Sequence, residues 1–123
     1  MELLLVLALV SVLLTMAAPT WRQHQLTAGR QQAWLQLQRI GLQQEMWFIQ
    51  HGRYFEDISL VSPTAERLRY SYKIHLSDAG FLLSATVNPN GPQSHDVRCW
   101  QLTLSDTGEM KSLGKGGEIQ VCK

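Results

Sequence analysis

Met1-Glu2 is followed by Leu3-Leu4-Leu5-Val6-Leu7-Ala8-Leu9-Val10-Ser11-Val12-Leu13-Leu14-Thr15-Met16-Ala17-Ala18, and then by Pro19. The run from Leu3 to Ala18 carries no charge. Its only polar side chains, Ser11 and Thr15, can return their hydroxyls to the backbone of a helix. Three readings of such a run compete. A secretory signal peptide wants positive charge before the apolar core and a small-x-small cleavage site after it. Here Glu2 is the one charged side chain ahead of the run, and Pro19 directly after Ala17-Ala18 is a poor place to cut. A buried core helix would ask a short domain to hide a segment that is apolar on all sides. A membrane helix fits best. A span needs ~20 apolar residues, and this one is a little short at its N-terminal end. Glu2 is the odd residue, because an acid at the head of a membrane-length run costs free energy unless it finds a partner.

The rest of the chain sets bounds. At 123 residues it holds one domain beyond the apolar run, with a modest core. A formal net charge of +1 marks neither a nucleic-acid partner nor an acidic tail. The two cysteines, Cys99 and Cys122, both lie near the C-terminus. Behind a membrane-targeting start, such a pair reads as one disulfide in an oxidising compartment. Closing a loop of that size contributes ~3 kcal/mol in the chain-entropy picture. The alternative is two free, buried thiols.

From Thr20 to His51 the pattern is helical. Leu26, Ala33, Leu37, Ile40 and Trp47 share one face, and Leu42, Met46 and Ile49 widen it. Gln25, Arg30, Gln31, Gln36, Arg39, Gln43 and Glu45 are expected in solvent. Pro19 should kink or loosen one long helix, with Gly41 a second soft point. Gly52 is the expected left-handed cap. A connection follows over 52–67, in which Ser62 to Glu66 could make a helical turn starting at Pro63. Leu68, Tyr70, Tyr72, Ile74 and Leu76 then alternate with Arg69, Ser71, Lys73, His75 and Ser77, which predicts a strand. Ser77-Asp78-Ala79-Gly80 is turn chemistry. Phe81, Leu83, Ala85 and Val87 continue as the returning strand of an antiparallel hairpin. Asn88 to Asp96 is a loop, Cys99 to Leu104 a third strand, and Glu109 to Ser112 a possible fourth. Ile119 to Cys122 brings Cys122 back to the start of the third strand.

Glu2, the apolar run and Pro19 resemble the N-terminal segment of type IV pilins and the related pseudopilins. In that family a short start, preceded by the Gly at which the prepilin peptidase cuts, comes before the Glu. Those residues are absent here, so the chain is expected to begin inside the motif. The segment Cys99-Trp100-Gln101-Leu102-Thr103-Leu104-Ser105-Asp106-Thr107-Gly108-Glu109 is similar to the C-terminal region of small minor pilins. The resemblance extends over the whole chain.

It implies an α+β fold: a long N-terminal helix packed on a three- to four-stranded antiparallel sheet, with a C-terminal disulfide loop joining Cys99 and Cys122. It implies two parts. Residues 1–18 form the transmembrane and assembly half of the helix, and residues 19–123 form the globular part outside the membrane. That part would comprise an amphipathic helix over about 20–51, a loop over about 52–67 and the sheet and disulfide region over about 68–123. The function implied is that of a minor pilin, a structural subunit of a type IV pilus supporting adhesion, twitching or DNA uptake. Its partners would be other pilin subunits, an inner-membrane assembly platform and the prepilin peptidase. Its location would be the inner membrane of a Gram-negative cell, then the extracellular pilus. Glu2 would pair with the N-terminal amine of a neighbouring subunit, and Pro19 would let the helix loosen during assembly. Trp21 would anchor at the membrane interface and Trp34 face a neighbouring subunit, while Trp47 and Trp100 belong to the core and the sheet. Two alternatives remain: a type II secretion pseudopilin, and a membrane-anchored DNA-binding receptor that does not polymerise.

Catalytic chemistry is not indicated. Asp106-Thr107-Gly108 matches the triplet of aspartic proteases, but Glu109 follows it, and a hairpin turn explains it better. His24, His51, His75 and His95 are scattered, so no metal site is expected. Asp106, Glu109 and Glu118 are too few for a calcium loop. Gly114 to Gly117 does not lead into a helix as a phosphate-cradling loop would. The chain reads as no enzyme and as needing no cofactor. For nucleic acid the candidates are Arg69, Lys73 and His75 on the outward face of the first strand, with Arg53, Arg67, Arg98, Lys111 and Lys115 able to join them.

Overall fold

The structure is a computed structural model, and it describes residues 1–61 and 68–122. One helix, α1 (Glu2–His51), runs unbroken through Pro19. The proline frees the Thr15 carbonyl of its partner but does not end the helix, because the turns on either side keep their own bonds. Ser11 Oγ and Thr15 Oγ1 donate to the carbonyls of Ala8 and Val12 at 2.8 and 2.7 Å, which hides both hydroxyls within the helix. The apolar part is long enough to cross a membrane by length and composition, and none of it is buried against the rest of the chain. Gly52 closes α1 at φ 70°, its N–H donating to the Phe48 carbonyl at 2.8 Å.

Burial along α1 begins only at Gly29 and continues with Ala33, Gln36, Leu37, Ile40 and Gln44. The expected stripe is thus correct at its centre and wrong at its margin. Leu42, Met46 and Ile49 point outward, with Ile49 82% exposed. Gln36 and Gln44 are buried in their place. Gln44 has a specific reason: its amide donates to the Phe55 carbonyl at 2.6 Å and accepts from the Phe55 N–H at 3.0 Å. It therefore pins the connection to α1 and lets Phe55 enter the core. Gly41 is no soft point. The helix is unbroken there, and a Cβ would make ordinary contact with Leu83 and Leu104. The helical turn expected at Ser62 to Glu66 lies outside the described residues.

The sheet has five strands, β1 (Tyr70–Ser77), β2 (Gly80–Val87), β3 (Gln101–Ser105), β4 (Met110–Leu113) and β5 (Ile119–Gln120). They lie in sequence order, each antiparallel to the next. The expected three or four strands are one too few, since β5 is too short to show alternation. Tyr70, Tyr72, Ile74, Phe81, Leu83, Ala85, Val87, Leu102 and Leu104 face α1 and close the core with Ala33, Leu37 and Ile40. Each fully buried leucine among them contributes ~1.5–3 kcal/mol. Trp34, Trp47 and Trp100 are partly buried and pack against this core. Trp21 is exposed beside Pro19.

Candidate nucleic-acid interface

Because the side-chain period of a strand is two, residues paired across the ladders share a face. One such row crosses the side of the sheet away from α1: Lys73 pairs with Ser84, Ser84 with Thr103, and Thr103 with Lys111. A second row is Ser71, Thr86, Gln101, Leu113 and Ile119, and a third is His75, Leu82 and Ser105. No carboxylate stands among these strand residues. Ser84 and Thr103 are buried within the row, Thr103 Oγ1 donating to the Lys111 carbonyl, and the two flanking lysines are exposed. Three ladder steps separate the lysines by ~14 Å, close to the ~12 Å width of a DNA major groove. Lys111 already has a weak exposed partner, Glu109, at 3.3 Å.

A second basic group lies at the strand end where β3 begins and β4 finishes. A 3₁₀ turn, Val97–Cys99, carries exposed Arg98 there. The Lys115 N–H donates to the Val97 carbonyl at 2.9 Å, and the Lys115 ammonium lies 4.8 Å above the Trp100 ring. The Cys99–Cys122 disulfide ties this corner to the C-terminal tail. At the opposite end of the strands the turns carry Asp78, Asp106 and Glu109. Tyr54 lies near this end. Loss of solvent, then Glu45 and Asp106, raise its phenol above the ordinary value. The Arg98–Lys115 corner is not purely basic, because the Glu118 carboxylate lies against Gly114 and Gly116 in the same turn as Lys115.

The three strand residues singled out from the sequence do not stay together. Lys73 and His75 are exposed on the outward face. Arg69 precedes β1, where the backbone turns, and is half-buried. Its guanidinium donates to Gln93 Oε1 at 3.0 Å and lies near Gly29 of α1. Arg53 stands at the far end beside the helix cap, away from the corner. Arg67 lies outside the described residues.

Arg30, expected in solvent, forms a two-pronged pair with Asp96 at 2.6 and 2.8 Å. These bonds hold the guanidinium above its ordinary range, against burial, which acts the other way. Gln93 and Asp96, read only as loop, are buried. Polar loop residues carry no period that would have shown this. Glu2 sits in the first turn of α1, far from these groups. Among the described residues no cluster of His, Cys, Asp and Glu could hold a metal.

The sequence model of one protein family matches residues 19–103, from Pro19 into β3. The comparison with curated proteins finds no match. With a helix–sheet–disulfide architecture and a match over more than half of its length, the chain belongs to that family, the type IV minor pilin ComP, DNA uptake sequence receptor.

Proposed function

We propose that this minor pilin captures duplex DNA on the outward face of its sheet and presents it from a type IV pilus. The observation that carries this is the carboxylate-free row Lys73–Ser84–Thr103–Lys111, with His75 beside it and Arg98 and Lys115 at the strand end. Lysines and arginines hold phosphates, and the exposed Lys73 and Lys111 are spaced to reach the two sides of a groove. The work is binding and assembly, not catalysis.

The division of the chain follows. Residues 1–18 hold the subunit in the inner membrane of a Gram-negative cell and later lie among other subunits inside the fibre. Residues 19–123 stay outside the membrane and reach the surface. Glu2 neutralises the N-terminal amine of a neighbouring subunit, and the carbonyl freed at Pro19 lowers the cost of loosening α1 during extraction. The assembly platform and the prepilin peptidase are the remaining partners.

The test uses the full chain in detergent micelles and a short fluorescein-labelled duplex, with anisotropy followed over a salt series. Each lysine that neutralises a phosphate adds about 0.9 to the slope of log affinity against log salt. Lys73→Gln and Lys111→Gln should each weaken binding and flatten the slope by up to that amount. Unchanged affinity and slope in both variants would remove the outward face as the DNA surface.

A further inference from the structure

Three elements meet in a buried polar clamp. Arg30 Nε and Nη2, from α1, donate to the two Asp96 carboxylate oxygens. Gln93 Nε2 donates to the Leu26 carbonyl at 2.8 Å and to Asp96 Oδ2 at 3.1 Å. Arg69, entering β1, donates to Gln93 Oε1. Gln93 is 0% and Asp96 3% exposed. Gly29 makes the approach possible, since a Cβ there would run into the Gln93 side chain. Buried polar groups joined this fully have one arrangement available to them, and removing one member strands the others.

The clamp ends where the basic corner begins. The Asp96 carbonyl accepts from the Cys99 N–H at 3.3 Å, which sets the turn carrying Arg98. The Val97 carbonyl inside that turn holds the Lys115 backbone. The other backbone bonds of Gly91, Ser94 and Asp96 stay within the connection itself: their N–H groups donate to Asn88, Gly91 and Gln93. Arg30 to Asp96 and Gln93 to the Leu26 carbonyl fasten the connection to α1.

We propose that Arg30, Gln93, Asp96 and Arg69 are positioning residues for DNA binding. They hold the Arg98–Lys115 corner against α1 and touch no phosphate themselves. Arg69 is the sharpest case: it is basic and adjacent to the interface, yet its guanidinium is turned to Gln93. The proposal rests on the DNA-binding reading above. It adds that affinity is set partly from α1, the element through which the subunit is built into the fibre.

The test combines hydrogen exchange with duplex binding, on the full chain in micelles, for R30M, R69Q and the double variant R98Q/K115Q. R69Q removes a single bond and serves should R30M fail to fold. The expected result has three parts. R30M and R69Q speed exchange at the Cys99 and Lys115 amides while the β1–β2 hairpin keeps its protection. They weaken duplex binding by roughly three- to thirtyfold. Added to R98Q/K115Q they change affinity no further, because residues acting through one contact are not additive. Unaltered exchange at Cys99 and Lys115 would overturn the positioning role. So would a loss that simply adds to that of R98Q/K115Q, which would make Arg69 or Arg30 a contact in its own right. In both cases a weakened R98Q/K115Q would leave the DNA reading standing. Equal duplex binding by the wild type and R98Q/K115Q would remove the corner from that reading, and the proposal with it.

Discussion

Tyr70 shows how a single residue makes the fold sensitive to pH. It begins β1 on the inward face, 1% exposed, and its hydroxyl meets no hydrogen-bond partner among the described residues. Loss of solvent, reinforced by the Asp96 carboxylate, raises its phenol well above the ordinary value of 10.0. The fold therefore favours the neutral phenol. Stability from this group is whole below pH ~10 and falls as pH rises through that value towards the folded one. Tyr70→Phe removes the titrating group and an unpaired buried hydroxyl together. In urea denaturation the variant should match or slightly exceed the wild type at pH ~7, and exceed it clearly at pH ~11. A difference that stays constant between the two pH values would show that Tyr70 does not titrate with unfolding. Gln44 and Gln93 belong at the same scale, and neither was legible in advance. A glutamine on a helix or in a loop is ordinarily solvated. Only the fold reveals that Gln44 pairs with the Phe55 backbone and that Gln93 closes the clamp.

At the scale of elements, legibility followed the strength of the period. The β1–β2 hairpin alternates without interruption from Tyr70 to Leu76 and from Phe81 to Val87, and its register follows from that pattern. Strand β5 has two residues and no period to read. In α1 the apolar positions are wider than one face, so spacing alone could not say which margin meets the sheet. Leu42, Met46 and Ile49 lost that competition to Gln36 and Gln44 because the connection through Phe55 approaches from the other side. Strands β4 and β5 are joined to each other by few ladder bonds, and the Cys99–Cys122 bridge supplies much of what holds them. The bridge closes a loop of sequence separation 23. Its removal by Cys99→Ser with Cys122→Ser should cost ~3 kcal/mol, lowering the melting temperature by roughly 10–20 °C. Exchange should quicken first in β5 and at Lys115, while α1 and the β1–β2 hairpin stay protected. An unchanged melt would mean that the ladders alone hold the tail.

For the whole molecule, α1 is one helix that divides by burial. Every buried residue it contributes lies at Gly29 or beyond, whereas Leu3 to Met16 are exposed throughout. The core, the clamp and the basic face are all built without the apolar stalk. That separation was legible from the opening run, since a segment apolar on all sides and ended by Pro19 has no use for a small core. It carries a prediction about the molecule as a unit. A chain lacking residues 1–18 should keep its melting temperature and its affinity for duplex DNA, measured in buffer without detergent. The same truncation in cells should leave the protein out of both the membrane and the sheared pilus fraction. Glu2→Ala is the finer probe. It should keep the subunit in the membrane and deplete it from sheared pili, because the apolar run still partitions into lipid while the charge proposed to pair with a neighbour is gone. A truncated chain that melts early would mean that the stalk supports the head. Glu2→Ala subunits at normal levels in pili would show that register along the fibre is set elsewhere on α1.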